Sequence, residues 1–385
     1  MSSFRKRLVG PAGVVGLALI GVGAGGGVWA EDHQVGTMSA ACEVQSIRKI
    51  GSGIQVDWSP DGRLIGYTKP VRHVIRRNHE LFVMNPDGSG QRCLTCDSSR
   101  LPRELVRKTK GAITFHPSGR YLLFSAENEQ STHGPASGPG VNQNHDLWVR
   151  DIDGARYWRL THLPKNSMLQ YPQFSRDGSQ LLWSERYRPG TLFKKGQEFG
   201  SWRMKLADFL LTPQGPRLGT IRELTPGGEG FYEPHGFSPD GRTIIFTAVF
   251  GREKSRFLGD IYTFDLRTGA LANLTRTDAI HDEQARFSPN GSKISFMSGP
   301  FLGLHRLPLV YATDLYLMDA DGAHVTRLTH FSDRAHADYI GRNAQLAKNA
   351  WSPDGTRIVS AYHTSSGDGV IFIVTFQGGC GSRQP

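Results

Sequence analysis

Phe237-Ser238-Pro239-Asp240-Gly241-Arg242-Thr243-Ile244-Ile245-Phe246 decides the fold. An aromatic residue ends one apolar run, a Ser-Pro-Asp-Gly tetrad turns the chain, and a β-branched run leads back out. Proline fixes φ at one turn position and glycine supplies a positive φ at another, so the stretch reads as a β-hairpin. The phrase recurs from Trp58-Ser59-Pro60-Asp61-Gly62, Phe115-His116-Pro117-Ser118-Gly119, Phe174-Ser175-Arg176-Asp177-Gly178, Phe287-Ser288-Pro289-Asn290-Gly291 and Trp351-Ser352-Pro353-Asp354-Gly355. Six hairpins in register mark an array of units rather than a chance turn.

The second half of each unit also repeats. Asp260-Ile261-Tyr262-Thr263-Phe264-Asp265 is followed by Thr268-Gly269 and Leu274-Thr275, and Asp314-Leu315-Tyr316-Leu317-Met318-Asp319 by Asp321-Gly322 and Leu328-Thr329. The same grammar appears from Leu81 to Leu94-Thr95 and from Leu147 to Leu160-Thr161. Each unit is thus read as four short strands. Such a sheet cannot cover both of its faces alone, whereas radial packing of units covers both and leaves only short edges. The expected architecture is all-β: a six-bladed β-propeller of four-stranded blades over residues 44–376.

Ring closure makes one cysteine pairing predictable. Val370 to Phe376 is the third strand of the last blade, while Val44 to Ile50 precedes the first hairpin with no blade of its own. The N-terminal strand is expected to become the outer strand of the last blade, which brings Cys42 to Cys380. Cys93 and Cys96 form a Cys-x-x-Cys. It is read first as a local disulfide, with a redox dithiol or half of a metal site as alternatives; no second pair completes a zinc cluster.

The chain has 385 residues and a formal net charge of +10. Arg5, Lys6 and Arg7 precede an apolar run from Leu8 to Val28, and Val28-Trp29-Ala30 fits a small-residue cleavage site. Residues 1–30 therefore read as a signal peptide, with an uncleaved anchor as the alternative. A polar leader at 31–43 and a tail at 377–385 complete the division, and the expected location is periplasmic or extracellular. Cationic charge favours acidic polymers or an acidic partner, though it also simply keeps an exported protein soluble. Export and the lack of a recognition helix exclude nucleic acid as the expected ligand. Membrane contact is expected only through an uncleaved N-terminal segment.

The hairpin turns lie on one side of a propeller and the longer connections on the other, so specificity is sought at the loop-rich mouth. Arg72, Arg76, Arg77, Arg103, Arg107 and Lys108 would form a basic rim there. Tyr232, Glu233, His235, His281, Asp282, Gln284, Arg286, His336, Asp338 and Lys348 precede inner strands and are the expected channel-mouth binding residues. His235, His281, Gln284 and His336 are the candidate ligands should a divalent metal (Mn, Ca or Zn) be the cofactor. Propeller mouths also collect polar residues merely because inner strands start there. No catalytic residue is assigned: the sequence has no His-Glu-x-x-His, no phosphate-cradling glycine loop and no arguable Ser-His-Asp set.

The six tetrads with their preceding aromatics, the Asp-Leu-Tyr-x-Met-Asp strand and the closing Leu-Thr resemble the repeats of the TolB-like propeller family. The resemblance covers residues 44–376 and implies an envelope or secreted protein that binds partners through the propeller mouth. TolB itself has an additional α/β domain, which Glu31 to Cys42 is too short to supply, so the resemblance is to the repeat family and not to TolB. A more distant likeness is to oligogalacturonate lyases, nearly all propeller, whose channel metal is held by histidines and a glutamine. Prolyl-oligopeptidase-like enzymes also place a propeller beside a hydrolase domain. The expected function is an exported binding module or scaffold that recognises a protein or acidic glycan. The alternative is a metal-dependent lyase acting on uronate-containing oligosaccharides.

Overall fold

The computed structural model describes residues 42–72, 77–154, 156–191, 194–302, 311–341, 343–363 and 369–382. The expected signal peptide, nearly all of the polar leader, Arg76 and the last three residues of the tail lie outside these.

The repeated turn is built by its own side chains. In the fourth unit Ser238 Oγ donates to Asp240 Oδ1 (2.5 Å), accepts from the Thr243 amide (3.0 Å), and Gly241 N closes on Ser238 O (2.9 Å). The same three bonds recur at Ser59, Ser175, Ser288 and Ser352. His116 replaces the serine in the second unit: its Nδ1 accepts from the Ser118 amide (3.2 Å) and its Nε2 meets Gly178 O (3.2 Å). All six turn glycines, such as Gly62 (φ 71°) and Gly241 (φ 73°), are left-handed, where a side chain is strained.

β1 (Val44–Ser52) precedes the first unit of β2 (Ile54–Trp58), β3 (Ile65–Arg72), β4 (Arg77–Met84) and β5 (Arg92–Cys93). The second unit is β6 (Lys110–Phe115), β7 (Tyr121–Glu127), β8 (His145–Asp151) and β9 (Tyr157–Arg159). The third is β10 (Leu169–Phe174), β11 (Gln180–Arg188), β12 (Ser201–Thr212) and β13 (Gly215–Leu224). The fourth is β14 (Gly230–Phe237), β15 (Thr243–Phe250), β16 (Asp260–Asp265) and β17 (Leu271–Asn273). The fifth is β18 (Ile280–Phe287), β19 (Lys293–Pro300), β20 (Asp314–Asp319) and β21 (Thr326–Arg327), and the sixth is β22 (Ala350–Trp351), β23 (Arg357–His363) and β24 (Gly369–Phe376).

The expectation of a six-bladed propeller is corrected by the hydrogen-bonding. The described residues form an all-β propeller with four separate four-stranded blades, while the third and fourth units run together in one eight-stranded sheet. The cause is local: β12 is long, and Trp202 near its start pairs with Gly230 at the start of β14. The N-terminal strand does close the last sheet, β1 pairing antiparallel with β24 from Val44 opposite Phe376 to Ser52 opposite Val370. Just beyond that register Cys42 is bonded to Cys380, and Cys93 to Cys96.

The Leu-Thr that closes a unit has a structural meaning. Thr329 Oγ1 donates to Asp314 Oδ1 (2.7 Å) and accepts from the Leu315 amide (3.0 Å), tying the last strand back to the start of the third. Arg327 Nη2 (2.7 Å) and the Phe331 amide (2.7 Å) complete the carboxylate's partners. Asp146 repeats the lock with Thr161, Arg159 and the Leu163 amide, and in the first unit Glu80 takes the Thr95 hydroxyl (2.6 Å). Apolar layers then fill the space between consecutive units, and one of them, including Val56, Trp58, Tyr67, Val359 and Ile371, joins the first unit to the last. Burial on this scale is the main favourable term for a fold without a separate core.

Candidate functional site

The inner strands do not run straight into their turns. Register shifts interrupt β2 between Ile54 and Asp57, β6 between Gly111 and Thr114, β10 between Gln170 and Gln173, and β18 between Glu283 and Arg286. At the same position in each, a residue other than glycine is left-handed: Gln55 (φ 57°), Ala112 (φ 50°), Tyr171 (φ 45°) and Gln284 (φ 59°). Bulges of this kind re-aim side chains, and left-handed non-glycine residues cost about 1–3 kcal/mol each and cluster at functional sites. Here they set two levels of side chains around the central channel.

The lower level is the residue immediately before each turn aromatic: Asp57, Thr114, Gln173, Gly236, Arg286 and Ala350. These sit in a cavity of about 410 Å³ that opens among the turns. The repeated aromatics Trp58, Phe115, Phe174, Phe237, Phe287 and Trp351 wall it, with the turn prolines beside them. Every unit contributes. Arg286 Nη1 donates to Gln173 Oε1 (2.5 Å). Asp57 Oδ2 accepts from the Phe115 amide (2.9 Å) and Oδ1 stands 4.0 Å from Lys348 Nζ. Lys348 also donates to Ile113 O (2.7 Å) and Thr114 Oγ1 (3.1 Å), and its burial pulls the ammonium down to about 7 against the pull of Asp57.

The upper level is a closed polar cluster. Gln284 Nε2 donates to Glu233 Oε1 (2.9 Å) and Glu283 Oε1 (3.2 Å), and the Gln284 amide donates to His235 Nε2 (3.2 Å). His281 Nε2 lies 3.1 Å from Glu283 Oε2, and its Nδ1 accepts from the Gly259 amide (3.2 Å). Burial and the neighbouring Glu283 charge raise Glu233 well above the usual carboxylate range. Burial works to raise Glu283 too, but the hydrogen bond from Glu233 and the His281 imidazole hold it low, so the pair shares one proton, with Glu233 the carboxyl raised. Burial pushes His235 down to about 3, leaving a neutral imidazole.

A carboxyl raised by folding contributes stability that is lost as the pH climbs through its folded pKa. Glu233→Gln keeps the neutral shape without the titration. Its Tm is therefore expected to gain on wild type as the pH is raised from about 5 to about 9; a Tm difference that stays flat over that range would refute a protonated Glu233.

The sequence-predicted residues divide accordingly. Glu233, His235, His281 and Gln284 come together in the upper cluster, and Arg286 and Lys348 lie beneath it. Tyr232 is in the core with Phe246 and Phe250, its hydroxyl on Gly228 O (2.7 Å), and the Asp282 carboxylate is held by Thr277 (2.8 Å). His336 is exposed and apart from that cluster, stacked on His330 at 4.0 Å and 3.6 Å from Asp338. The four expected metal ligands are thus not gathered, and among the described residues no group of three or more His, Cys, Asp or Glu could hold a metal ion. Of the basic rim, Arg72, Arg103 and Arg107 are exposed and Lys108 donates to Asn128 O (2.8 Å). Lys110, next in that run, is instead buried against Glu80 at 2.8 Å. Asp57, Gln173 and Tyr171 went unpredicted, although their place just before, or three before, a turn aromatic marks them.

No family's sequence profile matches the chain, and no curated protein does. Among solved structures it is similar to a puromycin hydrolase, at 16% identity over 86% of this chain and 52% of that one, TM-score 0.50. It is also similar to prolyl oligopeptidase B of Galerina marginata (11% identity, 81% of this chain and 38% of that one, TM-score 0.47). A third is an oligogalacturonate lyase of Vibrio parahaemolyticus (10% identity, 86% and 95%, TM-score 0.46). The chain thus spans less than two fifths of the oligopeptidase. These likenesses concern the fold alone, and the expected assignment to a six-bladed TolB-like repeat family is corrected: no family model matches the chain, and its described strands do not form six separate blades.

Proposed function

We propose that the protein is an exported, non-catalytic binding module that takes an acidic group of a protein or glycan ligand into its central channel from the turn side. The observation that carries this reading is the cavity to which all six units contribute, with the half-buried Arg286 in its lining. Repeated strained bulges support it, because strain persists where side-chain placement matters. The upper cluster is a poor docking surface, since its polar groups are spent on one another. Two disulfides suit an oxidising compartment, and among the described residues no helix is long and apolar enough to cross a membrane.

The test is calorimetric titration with uronate oligomers and with acidic peptides, on wild type and on Pro239→Phe. Pro239 is a half-buried wall residue of the cavity, so the larger ring would occlude it without touching the core. At least one ligand class is expected to bind, and the variant to weaken it about tenfold or more while its Tm changes by only a few degrees. Equal binding by both proteins would remove the site from the turn side.

A further inference from the structure

Resting on the reading of the turn-side cavity as the binding site, the structure assigns that cavity to a carboxylate carried on an apolar body. The reasoning starts from the donors. Trp58 Nε1, Gln173 Nε2 and Arg286 Nε are buried, all three belong to residues that line the cavity, and none has a hydrogen-bond partner. The Gln173 orientation is fixed, because a guanidinium only donates: Arg286 Nη1 must face the amide oxygen, which leaves the amide nitrogen as the free donor. Buried N–H groups without acceptors are costly, and three on residues of one wall make the Arg286 side of the cavity rich in donors and poor in acceptors.

Nothing else in the wall supplies that acceptor. Asp57 is engaged by the Phe115 amide and lies against Lys348. His235 accepts from the Gln284 amide and sits against Thr247 (2.8 Å). Arg286 lines the cavity and makes no ion pair among the described residues, and only Asp57 and Tyr171 act on its charge, at longer range. A carboxylate, with two oxygens and no donors, matches this set, and hydrogen bonds to a charged partner are the strong ones.

The rest of the wall decides what carries the carboxylate. Its hydroxyls are already used, Ser175 donating to Asp177 (2.6 Å), Ser238 to Asp240 (2.5 Å) and Ser288 to Asn290 (2.7 Å). Beyond them stand aromatic rings and prolines. A sugar acid would enter with a ring of hydroxyls and find few partners, at the cost of burying them unpaired. An apolar acid finds rings to pack on. The two sources of such a group are a free small acid and the C-terminal carboxylate of a peptide with an apolar last residue.

The experiment is calorimetric titration of the whole protein with 3-phenylpropionate, 3-phenylpropanol, D-galacturonate, and a tetrapeptide ending in phenylalanine with either a free or an amidated C-terminus. The acid is expected to bind about tenfold or more tightly than the alcohol. Arg286→Gln should abolish that preference, and Trp58→Phe, which keeps an aromatic wall residue while removing the indole N–H, should reduce it severalfold, which guards against an Arg286 variant that fails to fold. A free-ended peptide tighter than 3-phenylpropionate and than its amide assigns the group to a chain terminus; no gain over 3-phenylpropionate assigns it to a small acid. Equal binding of acid and alcohol, or galacturonate tighter than 3-phenylpropionate, overturns this inference and leaves the cavity a binding site. Failure of every probe, together with failure of the uronate oligomers and acidic peptides above, overturns both.

Discussion

Replacing Cys42 and Cys380 together by alanine is expected to lower the Tm by roughly 5–10 °C. The bond joins residues separated by 338 positions, so in the unfolded chain it closes nearly the whole propeller into one loop. Chain-entropy reasoning gives about 5 kcal/mol for a loop of this length, a ceiling that residual structure in the unfolded state reduces. The native state is also affected. Cys42 lies just ahead of β1, and β1 is the strand that completes the last sheet beside β24. Without the bond, β1 is held only by its hydrogen bonds and by the packing of residues such as Ile47 and Ile50. Opening should therefore start there, and amide exchange in β1 should rise before exchange in β23. The Cys93–Cys96 bond is the internal control, since its separation of 3 positions closes a small loop and should contribute far less. Equal melting of wild type and the Cys42/Cys380 variant would show that the sheet closes without its clasp.

What could be read from the chain follows how local each feature is. The turns were legible because Ser238, Asp240 and Gly241 make their hydrogen bonds within a few residues of one another. The Cys42–Cys380 bond was legible because ring closure leaves the N-terminal strand one place to go. The joining of the third and fourth units was not, since it rests on one pairing, Trp202 with Gly230, between strands whose hairpin signals are ordinary. The site was legible only in part for a related reason. A strand alternates its faces, and a reader of sequence assigns inward residues by that period. The bulge at Gln284 breaks the period, so Gln284 joins the upper cluster while Arg286, two residues on, reaches the cavity beneath. Read as one mouth, those two residues look equivalent; in space they serve different levels. His336 lies apart from both levels for the opposite reason, being in a connection whose path no local pattern specifies, and it stacks on His330.

Asp314→Ala is expected to destabilise the protein by about 3–5 kcal/mol, far more than Asp240→Ala at a turn. Both aspartates belong to the repeated grammar, and their surroundings separate them. Asp240 is largely exposed and its partners can turn to water when it is lost. Asp314 is buried, and its carboxylate accepts from Thr329 Oγ1, Arg327 Nη2 and the Phe331 and Ser332 amides. Burial raises its pKa above the usual aspartate range, and the Arg327 guanidinium works against that rise. Truncation leaves the Thr329 hydroxyl and the Phe331 amide buried without an acceptor, each costing about 1–3 kcal/mol, and frees Arg327 to swing toward Asp333 at 3.7 Å. Asp314→Asn should recover about half of the loss, because its amide oxygen still accepts from Thr329 and Phe331 while its NH₂ opposes Arg327. Denaturant unfolding of the three variants checks the order. An Asp314→Ala cost no larger than that of Asp240→Ala would mean that the closing Leu-Thr is held by strand pairing alone and that the carboxylate lock, for all its recurrence at Asp146, adds nothing.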